Sequence, residues 1–168
     1  MKKYMVILAA VAIVIVMASG AYAATTTQTV GASATISKVC ANGTNGTLAF
    51  GTIDPSTGST VNATGASLAF KCSNGTTFSI TGISGPNGET ATTCSASPCT
   101  FVGVMKSTGT PTDTLGYTIS ITTYNGYTGT GFGASVAIPF TGTVTQAQFQ
   151  NAVPHADYAE TVTITVTY

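Results

Sequence analysis

The sequence predicts an all-β protein in which short antiparallel strands, joined by tight turns, form a sandwich or a barrel. Apolar and polar residues alternate with period two in several segments, most clearly where Val162, Ile164, Val166 and Tyr168 alternate with threonines. Asn-Gly dipeptides at positions 42, 45, 74, 87 and 125 separate the apolar runs and favour turns. Threonine fills about a fifth of the 168 positions, and 19 more are glycine. Such a composition is typical of strands and turns.

The charge pattern excludes several classes of protein. Only 6% of the residues are charged, the formal net charge is zero, and the five cations are all lysine. A nucleic-acid binder that relies on a basic patch needs clustered Lys and Arg, so this class is excluded. A coiled coil or helical bundle would be rich in Ala, Glu, Lys, Leu and Arg. Low charge combined with ample apolar sequence also argues against disorder.

The first 23 residues predict a secretory signal peptide. Lys2 and Lys3 precede an apolar run over residues 5–17, and residues 21–23 form an A-x-A cleavage site. The run has 13 residues, whereas a helix that crosses a bilayer needs about 20, so a membrane anchor is disfavoured. A type IV prepilin is disfavoured too, because Gly20 does not open a long apolar helix. We expect a mature chain that begins at Ala24 and is soluble outside the cytoplasm.

The four cysteines predict two disulfides, since the chain is expected to enter an oxidising compartment. Three pairings are possible. Cys94 and Cys99 flank a turn-like spacer and are paired here, which leaves Cys40 with Cys72. A four-cysteine zinc site is disfavoured because no C-x2-C pair is present.

The strands follow one another along a single domain without an internal repeat. The first alternating segment places Val30, Ala32, Ala34 and Ile36 on one face and small polar residues on the other. Taken alone, this segment is an ordinary first strand. Residues 145–152 offer one helical turn. Further strands are predicted at residues 47–50, 66–72, 78–83, 101–105, 115–121, 136–140 and 162–168.

No catalytic constellation is visible, so we expect neither an enzyme nor a cofactor or metal site. The single histidine, His155, lies in a predicted loop, where it is expected to be inert. Asp157 and Glu160 are three residues apart, which in a strand places them on opposite faces. Glycoside hydrolysis needs two facing carboxyl groups, and the sequence nominates no such pair. Four N-x-T sites are attributed to the abundance of threonine rather than to glycosylation; they begin at Asn42, Asn45, Asn62 and Asn74.

Taken in order, several motifs resemble the spore coat protein U family, which includes the major pilins of archaic chaperone–usher pili. The motifs are ISKVC at 36–40, LAFGTIDP at 48–55, ATG at 63–65, LAFKCSNGT at 68–76 and DYAETVTITVTY at 157–168. The sequence departs from the family at Val104-Met105, where an Arg-x-Met segment is common, and at residues 154–157, where Pro-Gly is common. The Cys94/Cys99 pair is a further departure, and it resembles a local disulfide added to the family pattern.

The resemblance implies an incomplete immunoglobulin-like antiparallel sandwich that lacks its last strand and is completed by a donor strand. It implies three segments: a signal peptide (1–23), a donor-strand extension (24–36) and a pilin domain (37–168). Val30, Ala32, Ala34 and Ile36 would form the donor strand. The acceptor-groove strand would carry Val162, Ile164, Val166 and Tyr168.

The implied partners are identical or related pilin subunits arranged head to tail, a periplasmic chaperone and an outer-membrane usher, but no nucleic acid. The implied role is a structural pilus subunit, exported through the periplasm to the cell surface for adhesion and biofilm formation. Two alternatives remain open at this stage. One is a tip adhesin or binding module of the same system, and the other is a structural protein of a spore or cyst coat.

Overall fold

The computed structural model describes residues 26–65 and 67–168, and this part of the chain is almost entirely β, with one short helix. The predicted signal peptide and Ala66 lie outside the described residues. No helix in the described ranges is long and apolar enough to cross a membrane. The elements are β1 Cys40–Asn42, β2 Leu48–Ala49, β3 Val61–Asn62, β4 Thr64–Gly65, β5 Leu68–Cys72, β6 Thr77–Ser84, β7 Thr92–Thr93, β8 Cys99–Ser107, β9 Thr114–Ile121, β10 Tyr127–Thr128, β11 Val136–Ile138, β12 Thr141–Val144, α1 Gln146–Phe149, β13 Tyr158–Ala159 and β14 Thr163–Thr167.

The strands form antiparallel sheets, as the residue pattern predicts, in the immunoglobulin-like arrangement that the family resemblance implies. The largest sheet has the order β13-β8-β9-β12-β3 and is built on the long β8–β9 hairpin. A second sheet has the order β10-β6-β14, with β7 also pairing with β6. A third has the order β1-β5-β11, and β2 pairs with β4. Every pairing between described strands is antiparallel.

The period-two pattern decides which side chains enter the core. On β9 the apolar residues Leu115, Tyr117, Ile119 and Ile121 are all buried, while Thr114 is exposed. Each fully buried side chain of this size contributes about 1.5–3 kcal/mol to folding. The same alternation on β6 buries Phe78 and Ile80. The predicted strands at residues 78–83, 101–105 and 115–121 are confirmed with slightly wider bounds.

Both predicted disulfides are present. Cys40 and Cys72 face each other across the β1–β5 pair and are bonded. Cys94 is bonded to Cys99, the first residue of β8. The first bond therefore joins β1 to β5, the middle strand of the third sheet, and the second closes a short loop.

The Asn-Gly dipeptides mark turns but not two-residue hairpins between paired strands. The glycines of three of them, Gly75, Gly88 and Gly126, have φ of 76°, 95° and 80°, where glycine is favoured. Only the dipeptide at residue 87 lies between two consecutive strands that pair with each other, β6 and β7, and its loop is longer than two residues. In sandwich folds many connections cross from one sheet to another, so turn chemistry alone does not identify strand partners.

The first alternating segment forms no strand. Residues 26–39 belong to no helix or strand, and each of them is exposed. Val30 is 94% exposed and Ile36 is 90% exposed. The first strand of the structure begins only at Cys40.

Candidate functional site

The C-terminal strand β14 has one free edge. It pairs with β6 in a register that sets Ile164 opposite Ile83 and Val166 opposite Ile80. In the described part of the chain, no strand pairs with its other edge. The other strands at the ends of the sheets have only two or three residues, whereas β14 has five. A long unpaired edge is a template to which another strand can add.

The inward face of β14 is covered only in part. Val162, Ile164 and Val166 are half-buried, although their neighbours Ile80 and Ile83 on β6 are 0% and 1% exposed. The predicted acceptor residues Val162, Ile164 and Val166 thus share one face, and the threonines of β14 lie on the exposed face. Tyr168 lies beyond β14 and is 56% exposed.

Two cavities, of about 730 and 190 Å³, are lined in part by the C-terminal segment, and together they are called the groove here. Residues 42–55 contribute to one wall of both cavities, and residues 152–164 contribute to the other. No Asp, Glu or Lys side chain lines either cavity. The larger cavity includes Leu48, Phe50, Ile53, Met105, Leu115, Phe149 and Tyr158, and the smaller includes Leu68, Phe70, Val162 and Ile164.

Hydrogen bonds fix the outer wall of the larger cavity. The Asp157 carboxylate accepts hydrogen bonds from the Ser107 and Thr108 hydroxyls and from the Gly109 N–H, the first and last at 2.9 Å. The hydrogen bond from Thr108, followed by those from Gly109 and Ser107, lowers the pKa of Asp157 to about 2. This carboxylate therefore ties the wall to the turn between β8 and β9.

His155 belongs to the same wall. Its Nε2 lies 2.7 Å from Oδ2 of Asp113, and its ring meets that of Tyr158 edge-on. The Tyr158 hydroxyl in turn donates a 2.7 Å hydrogen bond to the Val153 carbonyl. These contacts connect His155, Asp113, Tyr158 and Val153 within this wall.

The structure brings together two carboxyl groups that the sequence did not pair. Glu89 lies in the β6–β7 loop, and Glu160 lies between β13 and β14. A Cβ atom built on Gly85 would meet Oε1 of Glu160 and would lie 2.8 Å from Oε2 of Glu89, so both carboxyl groups face the same glycine. Neither residue lines the groove, so the pair has no access to a substrate there.

The two carboxyl groups have opposite environments. Glu89 Oε1 accepts a 3.0 Å hydrogen bond from the Val104 N–H, and its Oε2 accepts one of 2.8 Å from the Asn87 N–H. Burial raises the pKa of Glu89, but the hydrogen bonds from Glu160 and from these N–H groups outweigh it, and the pKa falls below its usual value. Burial first, and then the hydrogen bond to Glu89, raises the pKa of Glu160 to about 7.

The predicted donor residues lie in the exposed N-terminal segment. Val30, Ala32, Ala34 and Ile36 all alternate with exposed small polar residues, and none of the four is part of a strand. In the part of the chain that the structure describes, no three His, Cys, Asp or Glu side chains are grouped so that they could hold a metal ion.

One comparison with known proteins gives a match. The family model described as Spore Coat Protein U domain matches residues 26–165, which is most of the chain. No curated protein sequence matches significantly.

Proposed function

Because the chain belongs to the Spore Coat Protein U domain family, whose members are structural pilus or coat proteins, we propose that it is the structural subunit of a surface pilus. In this proposal the chain is exported through the periplasm and polymerises by donor-strand complementation. A periplasmic chaperone and an outer-membrane usher assist its assembly, and the filament serves surface adhesion and biofilm formation.

The observation that supports this function best is the free edge of β14 beside a groove that no Asp, Glu or Lys side chain lines. A five-residue edge offers unpaired backbone groups, and the half-buried side chains Val162, Ile164 and Val166 offer apolar surface beside them. One extended segment could satisfy both requirements by pairing with β14 and filling the groove. This mode of binding is β-strand addition, in which backbone hydrogen bonds give affinity and alternate side chains give specificity.

Residues 24–36 of a second copy are the proposed occupant. Val30, Ala32, Ala34 and Ile36 would enter the groove, because a slip of one residue would bury the polar set instead. Burial of Val30 and Ile36 would contribute about 1.5–3 kcal/mol each. Each backbone hydrogen bond would add roughly 1 kcal/mol. The small side chains of Ala32 and Ala34 require a close fit rather than bulk.

Such a contact is head to tail and does not close on itself. Each subunit would offer one extension and one groove, and a heterologous contact of this kind generates a filament. Before assembly the chaperone would cover the groove, because an exposed edge and apolar surface promote aggregation. The usher would then exchange the chaperone for the extension of the next subunit.

Single substitutions in the extension test the proposal and its register. Ala32→Asp or Ala34→Asp would place an unpaired carboxylate in the groove and should abolish filaments on cells, at a cost of several kcal/mol. Ser33→Asp is the matched control, since the same charge would face away from the groove, and it should leave assembly nearly intact. Export of each variant is measured separately by immunoblotting of periplasmic fractions.

The pattern of assembly decides the outcome. Filaments formed by Ala32→Asp and Ala34→Asp but not by Ser33→Asp would reject the register. Normal filaments from a chain that lacks residues 24–36 would reject donor-strand assembly itself. A coat protein without filaments would appear on the cell or spore surface regardless of these substitutions.

A further inference from the structure

Glu160 has a buried carboxyl group without ordinary partners. Both of its oxygens are buried, and neither makes a hydrogen bond of normal geometry with a described donor. Glu89, by contrast, receives the N–H groups of Val104 and Asn87. Leaving a buried carboxylate without donors is costly, whereas a neutral carboxyl group can donate its own proton.

We propose that Glu89 and Glu160 share one proton and that loss of this proton loosens the C-terminal segment that bounds the groove. Glu160 would keep the proton and use it to donate a hydrogen bond to Glu89. Glu89 would remain an ionised carboxylate that accepts this bond. The protonated pair would thus hold the C-terminal segment in place, and a rise in pH would release it. The second half of this proposal rests on the proposed function, and the first half does not.

The groups around Glu160 explain why the proton stays. Burial and Glu89, which faces it from the β6–β7 loop, raise the pKa of Glu160. The Tyr117 hydroxyl on β9 and the Val104 N–H on β8, which already donates to Glu89, lower this pKa, but burial and Glu89 outweigh them. Among these described groups, none is a cation that would compensate a second negative charge. Two like charges at this site therefore disfavour each other, which is the arrangement in which one carboxyl group keeps its proton.

The pair is mechanically connected to the groove by two routes. Along the chain, Glu160 is two residues from Val162, which lines the smaller cavity. Through space, the Tyr117 ring contacts Phe50 edge-on with centroids 5.9 Å apart, and Phe50 lines the larger cavity. A displacement of Glu160 or Tyr117 is thereby transmitted to both cavities.

The sign of the effect follows from the raised pKa of Glu160. Between its usual value of 4.5 and its folded value of about 7, the folded state keeps a proton that the unfolded state has lost. Stability is therefore highest at the acidic end of this window and falls as the pH rises through it. Above pH 7 the pair is doubly ionised and the segment is loosest.

Infrared spectroscopy tests the shared proton directly. The chain has only five Asp and Glu residues, so a C=O band from a protonated side chain can be assigned by substitution. The full exported chain should show this band in D2O at about pH 6 and lose it at about pH 9. Ordinary carboxyl groups are ionised at both pH values and do not contribute to the band. The band should be absent from Glu160→Gln at both pH values and retained in Asp54→Asn, whose carboxyl group is exposed.

Thermal unfolding of the same samples tests the effect on stability. The unfolding temperature of the unsubstituted chain and of Asp54→Asn should fall by several degrees from about pH 5 to about pH 8. Glu160→Gln, which keeps the shape of the neutral carboxyl group, should flatten this fall. Glu89→Gln is the second variant, and it should flatten the fall only in part, because it removes the repulsion but leaves Glu160 buried.

Each outcome supports or overturns the inference independently of pilus assembly. No protonated band at about pH 6 in the unsubstituted chain would overturn it, even if every Glu variant failed to fold. An equal fall in stability for the unsubstituted chain and Glu160→Gln would overturn it as well. Loss of filaments with an intact infrared band would instead count against the proposed function alone.

Discussion

Replacing Gly103 with alanine should destabilise the protein, because Tyr117 lies across this glycine. Gly103 on β8 is paired with Tyr117 on β9. A Cβ atom at Gly103 would lie 2.5 Å from Cζ and 2.7 Å from the hydroxyl oxygen of Tyr117, distances that real Cβ atoms do not adopt. Tyr117 is 3% exposed and its ring contacts Phe50, so it has little room to move away.

The expected loss can be estimated from two opposing terms. Forcing an extra methyl group into a packed core costs about 1–3 kcal/mol. Replacing glycine with alanine also restricts the unfolded chain, which offsets about 0.4–1 kcal/mol. The free energy of unfolding of Gly103→Ala should therefore fall by about 1–2 kcal/mol, which for a domain of this size lowers the unfolding temperature by roughly 2–8 °C.

The assay is thermal unfolding of the purified exported chain followed by circular dichroism, with Gly82→Ala as the matched control. Gly82 is also in a strand, but a Cβ atom there would meet the Thr92 carbonyl oxygen at 3.5 Å and Cβ of Thr165 at 3.9 Å, which are ordinary contacts. Gly82→Ala should be neutral or slightly stabilising. If Gly103→Ala were as stable as Gly82→Ala, the position assigned to Tyr117 would be wrong.

Two further predictions concern the disulfides and the outer wall of the groove. Replacing Cys40 and Cys72 with serine should lower the free energy of unfolding by about 3.7 kcal/mol, against about 2.2 kcal/mol for Cys94 and Cys99, because the first bond closes the longer loop. Urea unfolding measures both losses, and a larger loss for the shorter loop would contradict this reasoning. Asp157 has a pKa lowered from 3.8 to about 2, so it stabilises the fold above about pH 4, and this contribution is lost as the pH falls toward 2. Asp157→Asn should flatten the acid limb of a pH–stability profile, and an unchanged limb would refute the role given to Asp157.

Period-two alternation was sufficient to predict the long strands and their buried faces. In β9 and β14, every second residue is apolar over the whole strand, and that face is the inward one. The two-residue strands β3, β7, β10 and β13 could not be predicted in this way. They are too short to show a period, and each exists only because a longer strand lies beside it.

Contacts between distant parts of the chain were the main features that the sequence did not reveal. Glu89 and Glu160 come close together because the β6–β7 loop meets the segment after β13. Neither segment carries a sequence pattern that indicates this contact. The groove was predicted from β14 and the family resemblance, but its second wall, residues 42–55, was not. A signal was present in hindsight, since Leu48, Phe50 and Ile53 are apolar residues in a segment with only a two-residue strand.

Side chains and a short strand occupy part of the edge of β8 that faces away from β9. Along the edge of β8 that faces away from β9, the Asn87 amide donates to the Val104 carbonyl at 2.7 Å and Glu89 accepts from the Val104 N–H. Next to them, β13 pairs with Lys106 and Ser107. These contacts occupy the edge at Val104, Lys106 and Ser107, so the nine residues of β8 do not form one continuous free edge.

In the language of polymer chemistry, the number of reactive ends on a monomer decides the product. Two ends give a linear chain, and a third gives branches and finally a gel. If the extension and the β14 edge are the two ends, an open β8 edge would be the third. By occupying the Val104 backbone, the side chains of Asn87 and Glu89 would interrupt this third end, and a solution of such subunits would grow in length without cross-linking.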